Sequence, residues 1–250
     1  MRLSSAVVVL PLLTFLSSFA MADQTTETAS GFSLSGDIGI TSDYRFRGIS
    51  NSDNKAAIQG SLNLEHRSGW YAGVWASNVD LDIGTHLETD YYAGYVLPLS
   101  ENSSVDINYT YFDYPHALRE LKVDYGEFAA IYHHDHAFTA DDHLSFGVYY
   151  SPEFTADSDQ EIYLESSYSY PVNSLFNINA TVGYTRLKDN EKFAQGVGGN
   201  GQQNHYYDYK IGVSKQILGL DADLAWIDNN LKGAGKIAQG QMVLTVGKSF

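Results

Sequence analysis

Apolar and polar residues alternate over long stretches of this chain. In residues 32–46 the apolar residues share one parity, namely Phe32, Leu34, Ile38, Ile40, Tyr44 and Phe46. The other parity is mostly polar or charged. Because successive side chains of a β-strand point to opposite faces, this pattern predicts a strand with one apolar and one polar face. A half-buried strand of a soluble protein has the same pattern, but this run of 15 residues is typical of a tilted transmembrane strand.

Eleven further segments follow, and most of them show the same alternation. We place them near residues 56–65, 70–78, 86–97, 104–113, 121–132, 143–151, 160–170, 175–186, 205–215, 219–228 and 240–250. The parity of segment 121–132 is ambiguous. The last segment ends on the aromatic residue Phe250 and resembles the closing strand of bacterial outer-membrane barrels.

The connections between these segments also alternate in length. Short, turn-like connections follow the even-numbered segments, and longer connections follow the odd-numbered ones, up to the glycine-rich stretch 188–204. Residues 133–142 are an exception, because they form a long connection at the end where the other connections are short. Short turns at one end and long extracellular loops at the other are typical of outer-membrane barrels. The sequence therefore predicts an all-β fold, an antiparallel transmembrane β-barrel of about twelve strands with both termini in the periplasm.

The first 22 residues have the features of a secretory signal peptide. Arg2 supplies a positive charge, residues 6–16 form an apolar run, and Ala20-Met21-Ala22 is a small-x-small cleavage site. The run is shorter than the roughly 20 apolar residues of a transmembrane helix. We therefore expect the bacterial outer membrane as the location, and three regions: a signal peptide at 1–22, a polar tail at 23–31 and a barrel at 32–250.

The composition restricts the classes of partner. The chain has 15 basic and 30 acidic residues, which gives a formal net charge of −15. Residues 1–22 contain one basic and no acidic residue, so their removal takes the charge to −16. Such an acidic chain is a poor ligand for nucleic acid. There is no cysteine, so no disulfide contributes to stability.

Several blocks of the sequence resemble a known family. The most specific are Ser42-Asp43-Tyr44-Arg45-Phe46-Arg47-Gly48-Ile49-Ser50, then Ala57-Ile58-Gln59-Gly60 with Gly69-Trp70-Tyr71-Ala72-Gly73-Val74-Trp75. Glu88-Thr89-Asp90-Tyr91-Tyr92 and Asp124-Tyr125-Gly126-Glu127 continue the match, while Ala56 stands where a proline is expected. These blocks resemble the TorF-type porins, conserved hypothetical outer-membrane proteins. The resemblance covers the chain after the signal peptide and implies an outer-membrane channel of undefined substrate, with no catalytic residue.

The polar parity predicts an acidic lumen, because carboxylates that face lipid are costly. The expected inward carboxylates are Asp37, Asp43, Glu65, Glu88, Asp90, Asp106, Glu127, Glu161, Glu165, Asp208, Asp221 and Asp223. The bases of this parity are Arg45, Arg47 and Lys210, and its aromatic residues include Trp75 and Tyr92. The carboxylates either solvate the interior and pair with the bases, or attract cations and amines. Similarly, the aromatic side chains either narrow the pore or hold ammonium groups.

Other candidate sites have weaker patterns. His133, His134 and His136 with Asp135 have the chemistry of a divalent-metal site, but a solvated polar turn explains them better. The acidic pairs at 80–82 and 157–159 lack the spacing of a calcium loop. Neither a Gly-x-Ser-x-Gly nor a His-Glu-x-x-His motif occurs. We therefore expect that the protein is not an enzyme and that it binds neither a metal nor a cofactor.

These observations predict a passive, porin-like channel for small polar solutes, with a preference for cations. Two alternatives stay open: a non-conducting barrel whose extracellular loops bind ligands or partners, and a barrel enzyme that modifies lipids. The expected partners are outer-membrane lipids, small polar or cationic solutes and the barrel-assembly machinery, which we expect to recognise Phe250.

Overall fold

The computed structural model describes residues 30–172 and 176–250, so the predicted signal peptide lies outside the described residues. The described residues form a closed barrel of twelve antiparallel strands, which confirms the predicted fold and strand number. No described helix is long and apolar enough to cross a membrane.

The strands are numbered in chain order, and two of them lie outside the barrel. The barrel strands are β1 (Phe32–Thr41), β4 (Ala57–His66), β5 (Trp70–Asn78), β6 (Leu87–Pro98), β7 (Ser103–Asp113), β8 (Tyr125–Asp135), β9 (His143–Ser151), β10 (Glu161–Val172), β11 (Phe176–Leu187), β12 (His205–Ile217), β13 (Leu220–Asn229) and β14 (Gln241–Ser249). Strands β2 (Arg45–Phe46) and β3 (Ile49–Ser50) pair only with each other. The described residues form one α-helix, α1 (Asn190–Gly196), and three short 3-10 helices.

The first predicted segment is wrong in its extent. Strand β1 ends at Thr41 rather than continuing to residue 46. The Thr41 hydroxyl donates to the carbonyl of Asp43 (3.0 Å) and accepts from its N–H (3.4 Å), a local turn that directs the chain away from the wall. Tyr44, predicted to face lipid, is 1% exposed inside the barrel.

The ambiguous segment at 121–132 is the other correction. Strand β8 begins at Tyr125 and continues to Asp135, so His133 and His134 belong to a strand instead of a turn. The remaining ten segments agree with the structure to within two residues at each end.

Barrel closure is made by the first and last strands. Ile38 pairs with Lys248 and Ile40 with Val246 in the β1–β14 register. Gly36 and Phe250 extend this pairing, since each donates its N–H to the other's carbonyl at 2.9 Å. Closure leaves no strand edge unpaired, which is the condition for a sheet to exist in lipid.

The two ends of the barrel differ in their connections. The four periplasmic turns that the structure describes have two to seven residues, whereas the connections at the other end have eight to 17. We name the six longer ones L1 (42–56), L2 (79–86), L3 (114–124), L4 (152–160), L5 (188–204) and L6 (230–240). Long loops are extracellular in outer-membrane barrels.

The outer face is an apolar belt between two aromatic girdles. The periplasmic girdle contains Phe32, Trp70, Tyr95, Tyr170, Phe176 and Phe250, and the extracellular one Tyr91, Tyr109, Tyr111, Phe128, Tyr150, Tyr207 and Tyr209. Aliphatic side chains such as Leu62, Ile107 and Ile211 lie between them with about half their surface exposed. An apolar belt with aromatic margins matches the hydrocarbon layer and its two interfaces. The barrel is therefore a membrane protein of the outer-membrane type.

The extracellular loops pack on one another across the mouth of the barrel. Phe154 of L4, Phe193 of α1 in L5 and Leu231 of L6 are buried in one cluster with Tyr206 of β12. Helix α1 is capped by the Asp189 side chain, which accepts from the Lys192 N–H at 2.9 Å. This cluster holds the loops as a packed layer above the lumen.

The lipid-facing assignment predicts a depth-dependent effect of charge. Ile211 is at the middle of β12 and Ile217 at its periplasmic end, and both side chains are more than half exposed. Ile211→Arg should destabilise the barrel by about 2–4 kcal/mol, and the matched control Ile217→Arg by about 0–1 kcal/mol. Urea unfolding in lipid vesicles measures both values. Equal losses for the two variants would contradict the proposed position of the membrane.

Candidate functional site in the barrel lumen

The candidate site is the lumen together with the part of L1 that folds into it. We call residues 45–50 the inner hairpin. Its two-residue turn consists of Arg47 and Gly48, with φ values of 48° and 80°. Positive φ at both central residues defines a type I′ turn, the type that best matches the twist of a short hairpin.

Arg47 connects the inner hairpin to one side of the barrel wall. Its Nη1 lies 2.7 Å from Glu161 Oε1 of β10, and its Nη2 lies 2.7 Å from Glu127 Oε2 of β8. The guanidinium carbon also lies 4.1 Å from the ring centroid of Tyr163. Burial alone would lower the pKa of Arg47, but the two carboxylates more than reverse this and hold the pKa above its usual value. The arginine therefore stays charged inside the barrel.

Strands β12 and β13 of the wall hold the backbone of the same turn. The Tyr206 hydroxyl donates to the Arg47 carbonyl at 2.9 Å, and the Asn229 side-chain amide donates to the Gly48 carbonyl at 2.8 Å. A Cβ on Gly48 would lie 2.8 Å from the Asp208 Cβ. Only glycine fits here without displacement, because the position combines positive φ with this close approach. The turn is thus attached to four strands of the wall: β8, β10, β12 and β13.

The base of the inner hairpin is a second polar network. Asp43 Oδ2 lies 2.6 Å from Arg45 Nε, and its Oδ1 accepts from the hydroxyls of Ser50 (2.5 Å) and Ser52 (3.1 Å). Arg45 also donates to the Gly48 carbonyl at 3.0 Å. These bonds satisfy the buried carboxylate of Asp43 and pair the guanidinium of Arg45, as burial requires.

Two carboxylates of β6 face the start of the hairpin. The Tyr44 hydroxyl donates to Glu88 Oε1 at 3.2 Å, and its ring packs at 5.3 Å from Trp75. Burial, followed by the nearby Glu88 and Asp90, raises the pKa of Tyr44 well above its usual value, so the phenol stays protonated as a donor. Asp90 is fully buried, and neither of its carboxylate oxygens has a hydrogen-bond partner among the described residues.

The periplasmic half of the lumen is polar and partly open. Tyr71 donates to Asp106 at 2.8 Å, and Lys210 pairs with Asp223 at 2.9 Å. Other inner-facing side chains there keep partial exposure, among them Asp37, Ser61, Asn63, Glu65, Glu165 and Asn179. The lumen is consequently occupied by L1 near the extracellular end, while several polar side chains toward the periplasmic end stay partly exposed.

The structure places the predicted lumen residues in two groups. Those on the inner face of barrel strands are Asp37, Glu65, Trp75, Glu88, Asp90, Tyr92, Asp106, Glu127, Glu161, Glu165, Asp208, Lys210, Asp221 and Asp223. Asp43, Arg45 and Arg47 lie on L1 instead of on the first strand. Sequence reasoning missed the contact residues Tyr206, Asn229 and Ser50. The sequence does contain one signal for the inner hairpin: Gly48, because glycine is typical of tight turns.

The histidines near the periplasmic end do not converge on a metal site. His133 Nδ1 lies 3.4 Å from His143 Nε2, and His143 Nδ1 lies 2.8 Å from Asp135. Within the described residues no group of three or more His, Cys, Asp or Glu side chains has the arrangement of a metal site.

Closure, the apolar belt and the polar lumen define an outer-membrane β-barrel. The chain belongs to the family described as "Bacterial protein of unknown function (Gcw_chp)", which matches residues 25–250. None of the curated proteins matches the sequence.

Solved barrels resemble the structure, and three of them illustrate the likeness. A KdgM porin has a TM-score of 0.56 at 9% identity, with 86% of this chain and 98% of that chain covered. A NanC porin gives 0.55 at 11% identity, with 86% and 97% covered. LpxR from Salmonella typhimurium gives 0.50 at 7% identity, with 86% and 99% covered. At such low identity the likeness shows a shared fold.

The attachment of L1 predicts the effect of removing Arg47. In Arg47→Ala, Glu127 and Glu161 are left buried without their counter-charge, a change that costs about 3–5 kcal/mol when a buried pair is broken. We expect the amides of residues 44–51 to exchange with solvent faster, because the inner hairpin opens without unfolding of the barrel. Hydrogen exchange measures the opening of the hairpin. The control is Arg186→Ala, which removes an exposed arginine of β11. Unchanged exchange in Arg47→Ala would show that Arg47 does not hold the hairpin.

Proposed function

We propose that the chain is a narrow outer-membrane channel for the passive diffusion of small polar solutes, with a preference for cations. The observation that carries the proposal is the uncompensated acidity of the inner surface. Among the twelve inward carboxylates, eight make no ion pair with a lysine or arginine of the described residues. They are Asp37, Glu65, Glu88, Asp90, Asp106, Glu165, Asp208 and Asp221.

The position of these carboxylates explains why their charge affects permeation. A passage through a barrel of this size keeps an ion within roughly 8–10 Å of the wall, which is the Debye length at physiological salt. A fixed excess of negative charge in a narrow, low-dielectric passage raises the local concentration of cations. The preference is therefore strongest at low ionic strength.

The inner hairpin sets the size of the solute in this proposal. It lies in the extracellular half of the lumen and is bonded to β8 and β10 through Arg47 and to β13 through Gly48. In this proposal, solutes either pass beside the inner hairpin or pass when the hairpin moves out of the lumen. The fold likeness to two porins, KdgM and NanC, and the resemblance to the TorF-type porins support a transport role. One KdgM structure is a complex with disordered oligogalacturonate.

The same hairpin favours a second candidate function, a non-conducting barrel that binds ligands with its extracellular loops. The buried contacts of L1 and the packed loop cluster are expected of a barrel whose lumen is blocked. Single-channel conductance in a planar bilayer separates the two candidates, because only the channel gives ionic current.

Neutralising two inner carboxylates tests cation preference. Glu88 and Asp90 lie beside the inner hairpin without a basic partner. In Glu88→Gln with Asp90→Asn, we expect the reversal potential under a salt gradient to move toward zero while the heat-modifiable gel mobility of the folded barrel is kept. The control, Glu120→Gln with Glu153→Gln, removes the same charge from exposed loop positions and should leave the potential unchanged. An anion-selective wild-type channel would refute the proposal.

The terminal residue Phe250 is proposed to act in assembly, through recognition by the barrel-assembly machinery and contact with outer-membrane lipids. Its ring is more than half exposed at the periplasmic rim, whereas its backbone closes the barrel against Gly36. Phe250→Ala keeps these backbone bonds and should lower the amount of assembled protein in the outer-membrane fraction much more than it changes conductance. Phe176→Ala, an exposed aromatic residue of the same girdle, is the control. Equal amounts of assembled wild type and Phe250→Ala would remove the assembly role.

A further inference from the structure

A cavity of about 320 Å³ lies among the extracellular loops, above the inner hairpin. We call it the mouth cavity. Its walls are mostly apolar and come from all six loops, with Ile83 of L2, Val123 of L3, Phe154 of L4 and Val197 of L5 among the lining residues. Its rim includes the partly exposed Ile237 of L6, so it is reached from the extracellular side. Volumes of this size are at the small end of ligand pockets.

The floor of the mouth cavity is polar and incompletely bonded. Arg47, Glu161 and Thr185 line it, and they are 7%, 0% and 1% exposed. Arg47 Nε, Glu161 Oε2 and Thr185 Oγ1 have no hydrogen-bond partner among the described residues. Buried polar atoms are normally paired. Three described residues with unpaired polar atoms therefore lie along one wall of the cavity, where a bound ligand would supply the missing partners.

The chemistry of these atoms selects the head group of the ligand. Arg47 Nε offers a donor, Glu161 Oε2 an acceptor, and the Thr185 hydroxyl either. A hydroxyl group satisfies all three, because it accepts from the arginine while donating to the glutamate. An ammonium group has no acceptor for Arg47. A carboxylate meets two negative charges, Glu127 and Glu161, balanced by only one arginine.

We propose that the mouth cavity binds a small uncharged molecule that has an apolar body and a hydroxyl head, an alcohol or a phenol. The apolar walls contact the body of the ligand, and the polar floor hydrogen-bonds its hydroxyl group. Such a ligand contacts Arg47, the residue that holds the inner hairpin in the lumen. This site is additional to the proposed channel, and its occupancy is measured by binding, so its test is independent of conductance.

The test uses three probes with the same ring and different head groups: benzyl alcohol, benzylammonium and benzoate. The full barrel is studied in detergent with methyl-labelled isoleucine, since Ile49, Ile83 and Ile237 line the cavity. Lipid-facing Ile211 reports non-specific partitioning into the detergent. We expect benzyl alcohol to shift the methyl signals of the three cavity isoleucines until they saturate. The signal of Ile211 should not saturate, and benzylammonium and benzoate should bind more weakly than benzyl alcohol. Tighter binding of either ion, or equal responses at all four isoleucines, would overturn the proposal.

Substitutions locate the hydroxyl subsite. Thr185→Val keeps the shape of the floor and removes the hydroxyl, so benzyl alcohol should bind about three- to tenfold more weakly, the value of one hydrogen bond. Thr181→Val, on the same strand and face but outside the cavity, should bind like the wild type. Val197→Phe, in L5 and outside the barrel strands, should fill the cavity and abolish the shifts. Unchanged binding in Thr185→Val or in Val197→Phe would refute the site.

Discussion

The structure depends on one constraint, that a sheet in lipid must have no free edge. Strands β1 and β14 meet this constraint by pairing through Ile38, Ile40 and the terminal Gly36–Phe250 bonds. Closure then divides every strand into a lipid face and an inner face. Because the outer face has to be apolar, the charged residues of the strands are collected in the lumen. The acidity of the interior is thus a consequence of closure together with composition.

The lumen in turn determines the fold of L1. A barrel with many inward carboxylates offers counter-charges to any basic residue that enters it, and Arg47 meets Glu127 and Glu161 there. The hairpin brings polar backbone into the interior, where Tyr206 and Asn229 bond it. One arginine between two carboxylates leaves the network negative. That excess is the physical basis of the preference of the mouth cavity for an uncharged head group, whereas the proposed cation preference rests on the eight inner carboxylates that make no ion pair with a described lysine or arginine.

The sequence predicts some parts of the site and misses others for a definite reason. Inward positions such as Glu88, Asp90 and Asp208 follow from parity, because alternation along one strand is local information. Residues 42–47 keep the alternation of β1, so parity assigned Tyr44 to lipid although it packs on Trp75. The departure from the wall is made by a serine and threonine network together with contacts to β8, β10, β12 and β13. Those contacts join residues 80 or more positions apart, which no local pattern records.

By itself the sequence determined the class of fold, the number of strands, the sidedness of their faces and the acidic charge of the interior. These properties are repeated in every strand, and each copy of the pattern supports the others. Only the tertiary structure decided that residues 45–50 enter the lumen, that Arg47 is held between two strands, and that six loops enclose a cavity with an unsatisfied polar floor. Such features depend on single contacts between distant segments, and their energies are set by distance and burial rather than by periodicity.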